Sequence, residues 1–183
     1  MPTPFEFEPQ RIKDVVLVKP LLHEDCRGYF METYKKSEFE KGGISCNFVQ
    51  DNQSRSIKGV VRGLHFQKPP FAQAKLVSCL KGSVIDVAVD IRPNSPTFKQ
   101  YIKVGLSEFN KFMLYIPEGF AHGYLSLEDD TLLSYKVSAE YNPASEAGII
   151  WNDQDIDIDW GIDFEPLLSD KDKKWPTMRE VTL

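Results

Sequence analysis

Between residues 74 and 138 the chain repeats one pattern: a short run of β-branched, aromatic and aliphatic residues, then a tight break. The runs are AKLVSCL (74–80), SVIDVAVDI (83–91), KQYIKVGL (99–106), KFMLYIP (111–117), GYLSLE (123–128) and DTLLSYKVS (130–138). The breaks are KG, RPNSPT, SEFN, PEGFAH and a short acidic turn. None leaves room for the roughly 10–15 helical residues that a parallel crossover needs. Many short strands joined by Gly-, Pro- and Asn-containing turns specify a sandwich or a barrel. With SCNFVQDN (45–52) and VVRGLHF (60–66), a strand broken by Gly63, residues 45–140 are expected to form a jelly-roll β-barrel.

The flanks read differently. Phe5 and Phe7 alternate with Glu6 and Glu8 between two prolines, an exposed strand that needs a sheet edge to pair with, a partner's included. IKDVVLVKPLL (12–22) is a strand closed by Pro20, HEDCRG (23–28) a turn, and YFMETY (29–34) alternates again. KKSEFEKGG (35–43) predicts a short helix, with Ser37 and Glu40 at capping-box spacing and Gly42 and Gly43 ending it. Past Tyr141, the acidic, Ile- and Trp-bearing stretch 149–164 is expected to wrap the barrel, with a short helix after Ser169 that stops at Trp175-Pro176. The chain thus reads as a single all-β domain: N-terminal strands and helix (1–44), barrel core (45–140) and a C-terminal wrap with a short helical region (141–183).

Composition excludes several classes. The 183 residues are 42% hydrophobic and 27% charged, with a formal net charge of −5. No basic block offers an electrostatic footprint for nucleic acid. No apolar run approaches the roughly 20 residues of a membrane span, and MPTPFEFEPQ lacks the charged and apolar regions of a signal peptide. Cys26, Cys46 and Cys79 are odd in number and share no metal-ligand spacing, so buried free thiols in a reducing, cytoplasmic setting are expected.

The chemistry gathers in residues 58–90, where Arg62, His65 and Lys75 stand among apolar strand residues. Charge there costs several kcal/mol unless compensated, so a site is expected, against the plainer reading of a sheet with three polar residues on its wet face. Histidine is the usual general base near neutral pH, and two nearby cations keep it unprotonated and favour an anionic ligand. Lys75 shares a face with Val77, and Tyr135 with Leu133 and Val137. Asp86, Asp90, Asp170 and Asp172 compete as the partner of His65. His122, read at a Gly-bounded turn, either completes the site or satisfies that turn. Three histidines, His23, His65 and His122, without a close His-x-His, do not make a barrel metal site.

The chain also resembles a known family. The resemblance runs nearly end to end, through Asp25-Cys26-Arg27-Gly28-Tyr29-Phe30-Met31-Glu32, Phe48-Val49-Gln50-Asp51-Asn52, Lys58-Gly59-Val60-Val61-Arg62-Gly63-Leu64-His65, Asp86-Val87-Ala88-Val89-Asp90, Ser95-Pro96-Thr97-Phe98, Ile116-Pro117-Glu118-Gly119-Phe120-Ala121-His122-Gly123, Tyr135-Lys136, Gly148-Ile149-Ile150-Trp151-Asn152-Asp153 and Ser169-Asp170-Lys171-Asp172. With these motifs it resembles the dTDP-4-dehydrorhamnose 3,5-epimerase family of cupin-type sugar-nucleotide epimerases. Departures are Ala74 where the family has Gly, Tyr124 where its Ala-His-Gly motif ends in Phe, Ala147 for an arginine, Trp160-Gly161 for Trp-Pro, and Lys99-Gln100-Tyr101 for Gly-x-Trp.

The resemblance implies a cupin-type jelly roll that inverts carbons 3 and 5 of dTDP-4-keto-6-deoxyglucose, in dTDP-L-rhamnose biosynthesis, without cofactor or metal. It implies His65 as general base oriented by Asp172, Lys75 as the cation facing the enolate oxygen, and Tyr135 as general acid. Arg62 would contact the diphosphate or sugar. Arg27, Gln50 and Asn52 resemble nucleotide-binding residues, Phe30 and Glu32 resemble the adjoining thymidine pocket, and Lys171 and His122 lie near the site. A homodimer is implied, in which N-terminal strands extend the partner's sheet. The alternatives are an epimerase of a single centre, a ketoisomerase of related fold and a non-catalytic sugar-binding module.

Overall fold

The computed structural model describes residues 3–183. Thirteen strands and one short α-helix run in the order β1 (Phe5–Pro9), β2 (Val16–Pro20), β3 (His23–Asp25), β4 (Gly28–Phe30), α1 (Lys36–Lys41), β5 (Gln50–Ser56), β6 (Val61–Gln67), β7 (Lys75–Lys81), β8 (Ser83–Asp90), β9 (Tyr101–Ser107), β10 (Met113–Ile116), β11 (Phe120–Ser126), β12 (Thr131–Val137) and β13 (Glu146–Gly148). They build a six-stranded sheet, β1-β2-β10-β7-β12-β5, and a five-stranded sheet, β13-β6-β11-β8-β9, with β3 and β4 as a separate hairpin. All named ladders are antiparallel, as tight turns require.

The sheets are not closed into a barrel, which corrects the jelly-roll expectation. A barrel needs one ladder continuing around every corner, with tilt and stagger to match. Among the described residues no ladder joins β5 to β13 or β9 to β1, and β13 is only three residues long. The chain changes sheets through loops, so the result is two open sheets face to face, packed as a sandwich. Turn spacing predicts strands well but does not say whether the last ladder forms.

Alternation sorts the residues between the layers. Val77, Cys79, Val84, Ala88, Leu114, Tyr124 and Leu133 meet in the gap between the sheets. The outer face of the five-stranded sheet carries Val61, Val87, Val89 and Leu125, covered by Ile156, Ile158, Trp160 and Met178 of the C-terminal wrap. That is why β8 reads apolar on both faces. On the outer face of the six-stranded sheet, Val16, Val18, Leu76 and Met113 pack with Phe5 and Phe39.

Phe39 is fully buried, with Phe5, Phe7 and Tyr34 rings 4.9–5.3 Å away. Burying such a ring is worth about 1.5–3 kcal/mol, which holds a helix too short to stand alone. The capping box does not form: Lys35, not Ser37, is the N-cap residue, and no side chain caps it. Gly42 and Gly43 do end the helix, through N–H bonds to Glu38 and Glu40 carbonyls. The predicted C-terminal helix is a three-residue 3-10 turn, Asp172–Lys174, followed by extended Trp175.

Gly63 does not break β6. Its φ of +130° and its contact with β11 let the strand pass: a Cβ there would lie 2.6 Å from Gly123 Cα and 2.8 Å from the His122 carbonyl oxygen. The β6–β11 register shifts at this point, between His122 and Tyr124.

Candidate active site

The open edges create the site. Where β5 and β13 end their sheets, the gap between the layers opens into a cavity of about 250 Å³. Its lining includes Gln50 and Asn52 of β5, His65 and Gln67 of β6, Lys75 of β7, Tyr135 of β12 and Glu146 of β13. His65 comes from the five-stranded sheet, Lys75 and Tyr135 from the six-stranded sheet. Three residues that the sequence singled out on separate strands thus share one cavity.

Asp172 is the carboxylate that touches His65. Its Oδ1 lies 2.5 Å from His65 Nε2 and also accepts Trp175 Nε1–H at 3.2 Å, while Oδ2 accepts the Ser169 hydroxyl at 2.8 Å. Ser169 Oγ in turn accepts the Asp172 backbone N–H at 3.0 Å, fixing the 3-10 turn that presents the carboxylate. Burial alone would raise the Asp172 pKa. The bond and charge of His65, with Ser169 and Trp175, outweigh it and hold the group below the ordinary carboxylate range. With Nε2 engaged, Nδ1 is the ring nitrogen left for proton transfer.

The other aspartates are committed elsewhere. Asp86, fully buried, accepts from His122 Nε2 at 3.0 and 3.1 Å. Asp90 accepts Arg92, Ser95 and Thr97. His122 is not at a turn: β11 starts at Phe120, and His122 is a buried strand residue paired across from His65. Burial, with the charges of Lys75 and His65, lowers its pKa despite Asp86, so the ring is neutral and donates to Asp86.

Lys75 is buried, and its Nζ donates to the His65 carbonyl at a long 3.4 Å. Desolvation lowers its pKa to about 8 although Asp86 and Glu146 oppose the drop. A cation with so weak a fixed partner is available to a developing negative charge. Burial and the neighbouring Tyr124 phenol raise Tyr135 above the ordinary phenol value, with Arg62 opposing. Tyr135 therefore keeps its proton at neutral pH and can donate it.

At the rim, Gln50 Nε2 donates to Asn52 Oδ1 at 2.7 Å, and Gln50 Oε1 accepts the Tyr141 N–H. Lys171 Nζ pairs with Glu146 Oε2 at 2.5 Å, and the Tyr141 hydroxyl donates to the same oxygen at 2.6 Å. Burial would raise Glu146, but Lys171, Tyr141 and the charge of His65 lower it. Glu146, Tyr141, Gln67 and Gln73 line the cavity without having been anticipated. Gln67 was legible, since it shares the inward face with His65 two residues earlier. Glu146 was not: it looks like part of a turn, and only the β13–β6 ladder sets it opposite Gln67.

Arg62 does not line the cavity. Its Nε donates to Ser56 Oγ at 3.1 Å and its Nη2 to the Arg55 carbonyl at 3.0 Å. Arg27, Phe30 and Glu32 are not brought to His65 within this chain. Arg27 pairs with Asp25 on the β3–β4 hairpin, where Phe30 is 66% exposed, and Glu32 faces Lys35 at 3.8 Å. A larger cavity, about 640 Å³, lies apart between residues 11–14 and 92–97, and its Arg92 is already paired with Asp14 and Asp90. Volume does not mark the chemistry here. Among the described residues no three His, Cys, Asp or Glu side chains gather as a metal-ligand set, and no helix is long and apolar enough to cross a membrane.

Comparison with known proteins points one way. The family model for dTDP-4-dehydrorhamnose 3,5-epimerase matches residues 9–180. The enzyme of that name from Shigella flexneri is 51% identical over 162 residues, 88% of this chain and 89% of its own. The dTDP-6-deoxy-D-glucose-3,5-epimerase of Legionella pneumophila, solved in complex with dTDP-4-keto-L-rhamnose, superposes with a TM-score of 0.94 at 41% identity, covering 97% of this chain and 95% of its own. A 3'-monoepimerase from Streptomyces bikiniensis, solved with dTDP-quinovose, is similar at 35% identity and a TM-score of 0.88, covering 93% of this chain and 87% of its own.

Proposed function

The chain belongs to the dTDP-4-dehydrorhamnose 3,5-epimerase family, and on that premise we propose how its residues divide the work. The protein is an isomerase that epimerises a dTDP-4-keto-6-deoxyhexose at C3 and C5 toward rhamnose biosynthesis. The 4-keto group acidifies the protons on both flanking carbons. His65 takes one of them through Nδ1, and the C–H electron pair moves into the ring to give an enolate. Lys75, buried in the cavity wall, faces the enolate oxygen and stabilises its charge. Tyr135 then delivers its own proton to the carbon, leaving a phenolate; solvent reprotonates it and takes the abstracted proton from His65, so that both groups are restored before the next centre is processed.

The observation that carries this reading is the His65–Asp172 contact, with Tyr135 on the opposite sheet across the same cavity. A sugar held between the layers has its base on one face and its acid on the other, and inversion needs that arrangement. A cavity of about 250 Å³ is small beside the 300–1,000 Å³ usual for ligand sites, so the nucleotide extends outside it past the rim residues Gln50 and Asn52, with Arg62, Lys171 and His122 also supporting binding.

The remaining binding residues, Arg27, Phe30 and Glu32, lie away from His65. We infer a homodimer, in which the exposed β3–β4 hairpin reaches the partner's nucleotide and the outer edge of β1, unpaired among the described residues, adds to the partner's sheet. The three cysteines are free, but contrary to the expectation of buried thiols only Cys79 is buried, with Cys46 half-buried and Cys26 exposed; unpaired thiols, one of them open to solvent, support a reducing, cytoplasmic location. The roles are tested by NMR in D2O with dTDP-4-keto-6-deoxyglucose. His65→Ala is expected to stop deuterium entry at both carbons, and Tyr135→Phe to allow entry without inversion. Normal exchange in His65→Ala would sink the base assignment.

A further inference from the structure

Tyr124 is a core residue with a job its ring does not explain. It lies on β11 of the five-stranded sheet, 4% exposed, and its ring packs in the gap between the layers. Its hydroxyl crosses that gap to the edge strand β5, 2.9 Å from Ser54 Oγ and 3.1 Å from Ser56 Oγ. Ser54 and Ser56 share the inward face of β5 with Asn52. Ser56 Oγ also accepts Arg62 Nε–H at 3.1 Å.

Hydrogen placement closes the chain. Arg62 occupies an acceptor site on Ser56 Oγ, so the Ser56 hydrogen is free to donate to Tyr124 Oη, and Tyr124 then donates to Ser54. Each hydroxyl is satisfied, and the guanidinium charge polarises the series in one direction. Ser56 is itself 4% exposed, so it has no ready alternative partner for its hydrogen.

We propose that the Tyr124 hydroxyl is a positioning residue for Arg62, acting through Ser56. The Ser56 bond and the Arg55 carbonyl together hold two of the five guanidinium N–H groups. The unused N–H groups, both on Nη1 and one on Nη2, then present a fixed fork, the geometry suited to a phosphate. An arginine already in place does not lose its side-chain freedom on binding, which is the benefit of preorganisation. The same hydroxyl ties β5, with its rim residues Gln50 and Asn52, to the opposite sheet. The proposal rests on the reading of Arg62 as a contact to the substrate's diphosphate.

The test uses the full chain and dTDP as probe, with dissociation constants from calorimetry for wild type, Tyr124→Phe, Ser56→Ala, the double variant and Arg62→Ala. Tyr124→Phe keeps the packed ring and removes only the hydroxyl. Each single change in the relay is expected to weaken dTDP about three- to tenfold, one hydrogen bond's worth. The double variant is expected to be no weaker than the worse single, because both cut one chain. In turnover the loss is expected in KM rather than kcat, since the diphosphate contact is the same in ground and transition states. Multiplying effects in the double variant, or wild-type affinity in Tyr124→Phe beside a weakened Arg62→Ala, would overturn the relay and leave the reading of Arg62 standing. Wild-type affinity in Arg62→Ala would remove that reading and the relay with it.

Discussion

Replacing Asp172 with Asn isolates the charge behind His65. The amide can keep every contact of the carboxylate. Its oxygen can sit at the Oδ1 position, accepting His65 Nε2–H and Trp175 Nε1–H, while its NH2 donates to Ser169 Oγ, which already accepts the residue 172 N–H. The tautomer with Nδ1 free is therefore preserved, and only the negative charge is lost. That charge matters once His65 holds the substrate proton, because the imidazolium then faces a neutral amide. A hydrogen bond to a charged group is worth about 1.5–3 kcal/mol, so kcat is expected to fall about 10- to 150-fold. KM should stay near wild type, since substrate binds before the imidazolium forms. The assay is initial rate with dTDP-4-keto-6-deoxyglucose, with deuterium entry at C3 and C5 followed separately by NMR; both carbons should slow by the same factor if one base serves both. A kcat within about threefold of wild type, well short of that charge-assisted bond, in a folded variant would refute the dyad.

Further outcomes follow from the buried charges and the backbone. Lys75 has a folded pKa of about 8 against about 10.4 unfolded, so folding stability rises with pH between these values and the buried ammonium costs stability at pH 7. Lys75→Met should therefore raise stability by about 1–3 kcal/mol in urea melts at pH 7, while kcat collapses. Wild-type kcat should fall as pH rises through about 8, and Asp86→Asn, which removes a charge that raises Lys75, should move that limb to lower pH; an unmoved limb would separate it from Lys75. For Asp90, burial would raise the pKa, but the bonds from Arg92, Ser95 and Thr97 lower it to about 2. Its stabilisation is complete above the unfolded value of about 3.9 and lost as pH falls through about 2, so Asp90→Asn should cost about 2 kcal/mol at pH 7 and progressively less in acid melts between these values. Gly63→Ala sets a Cβ against two backbone atoms of β11 at a φ of +130°, and should cost at least about 2 kcal/mol in thermal melts, with reduced kcat because His65 is two residues away.

The strands were legible because their signals are local. Alternation assigned the inward faces of Lys75, Val77, Leu133 and Tyr135, and the turns set the breaks between runs. What was not legible depended on pairing across the chain. The last ladder of a barrel is a long-range contact, and no residue near β5 or β13 announces that it does not form. His122 was read at a turn because Gly119 and Gly123 flank it; the β8 and β6 ladders on either side make it strand. The capping box failed because Ser37 sits inside the helix it was expected to cap. Pattern alone left Asp172 one of several aspartates and only the family resemblance singled it out; the 3-10 turn sets it against His65, and Glu146 had no local signature at all. Sequence separation of 107 residues between His65 and Asp172 is beyond any periodicity.

The open sandwich makes better sense of the chemistry than a closed barrel would. An inverting proton transfer needs a base and an acid on opposite faces of one ring, with the ring free to enter and leave between them. Two layers provide opposite faces through their inward residues, His65 on one and Tyr135 on the other. An unclosed edge provides the entry, and the rim strands β5 and β13 supply polar residues there instead of a ladder. The drawback is that the gap is also the hydrophobic core. Lys75, Asp86 and His122 are buried in that layer, and Lys75 carries its charge against its desolvation. Asp86 offsets part of that cost and is itself satisfied by His122. The buried Asp86–His122 pair is thus the counter-charge that lets a cation reside in the core, where the proposed mechanism uses it when the substrate's oxygen becomes negative.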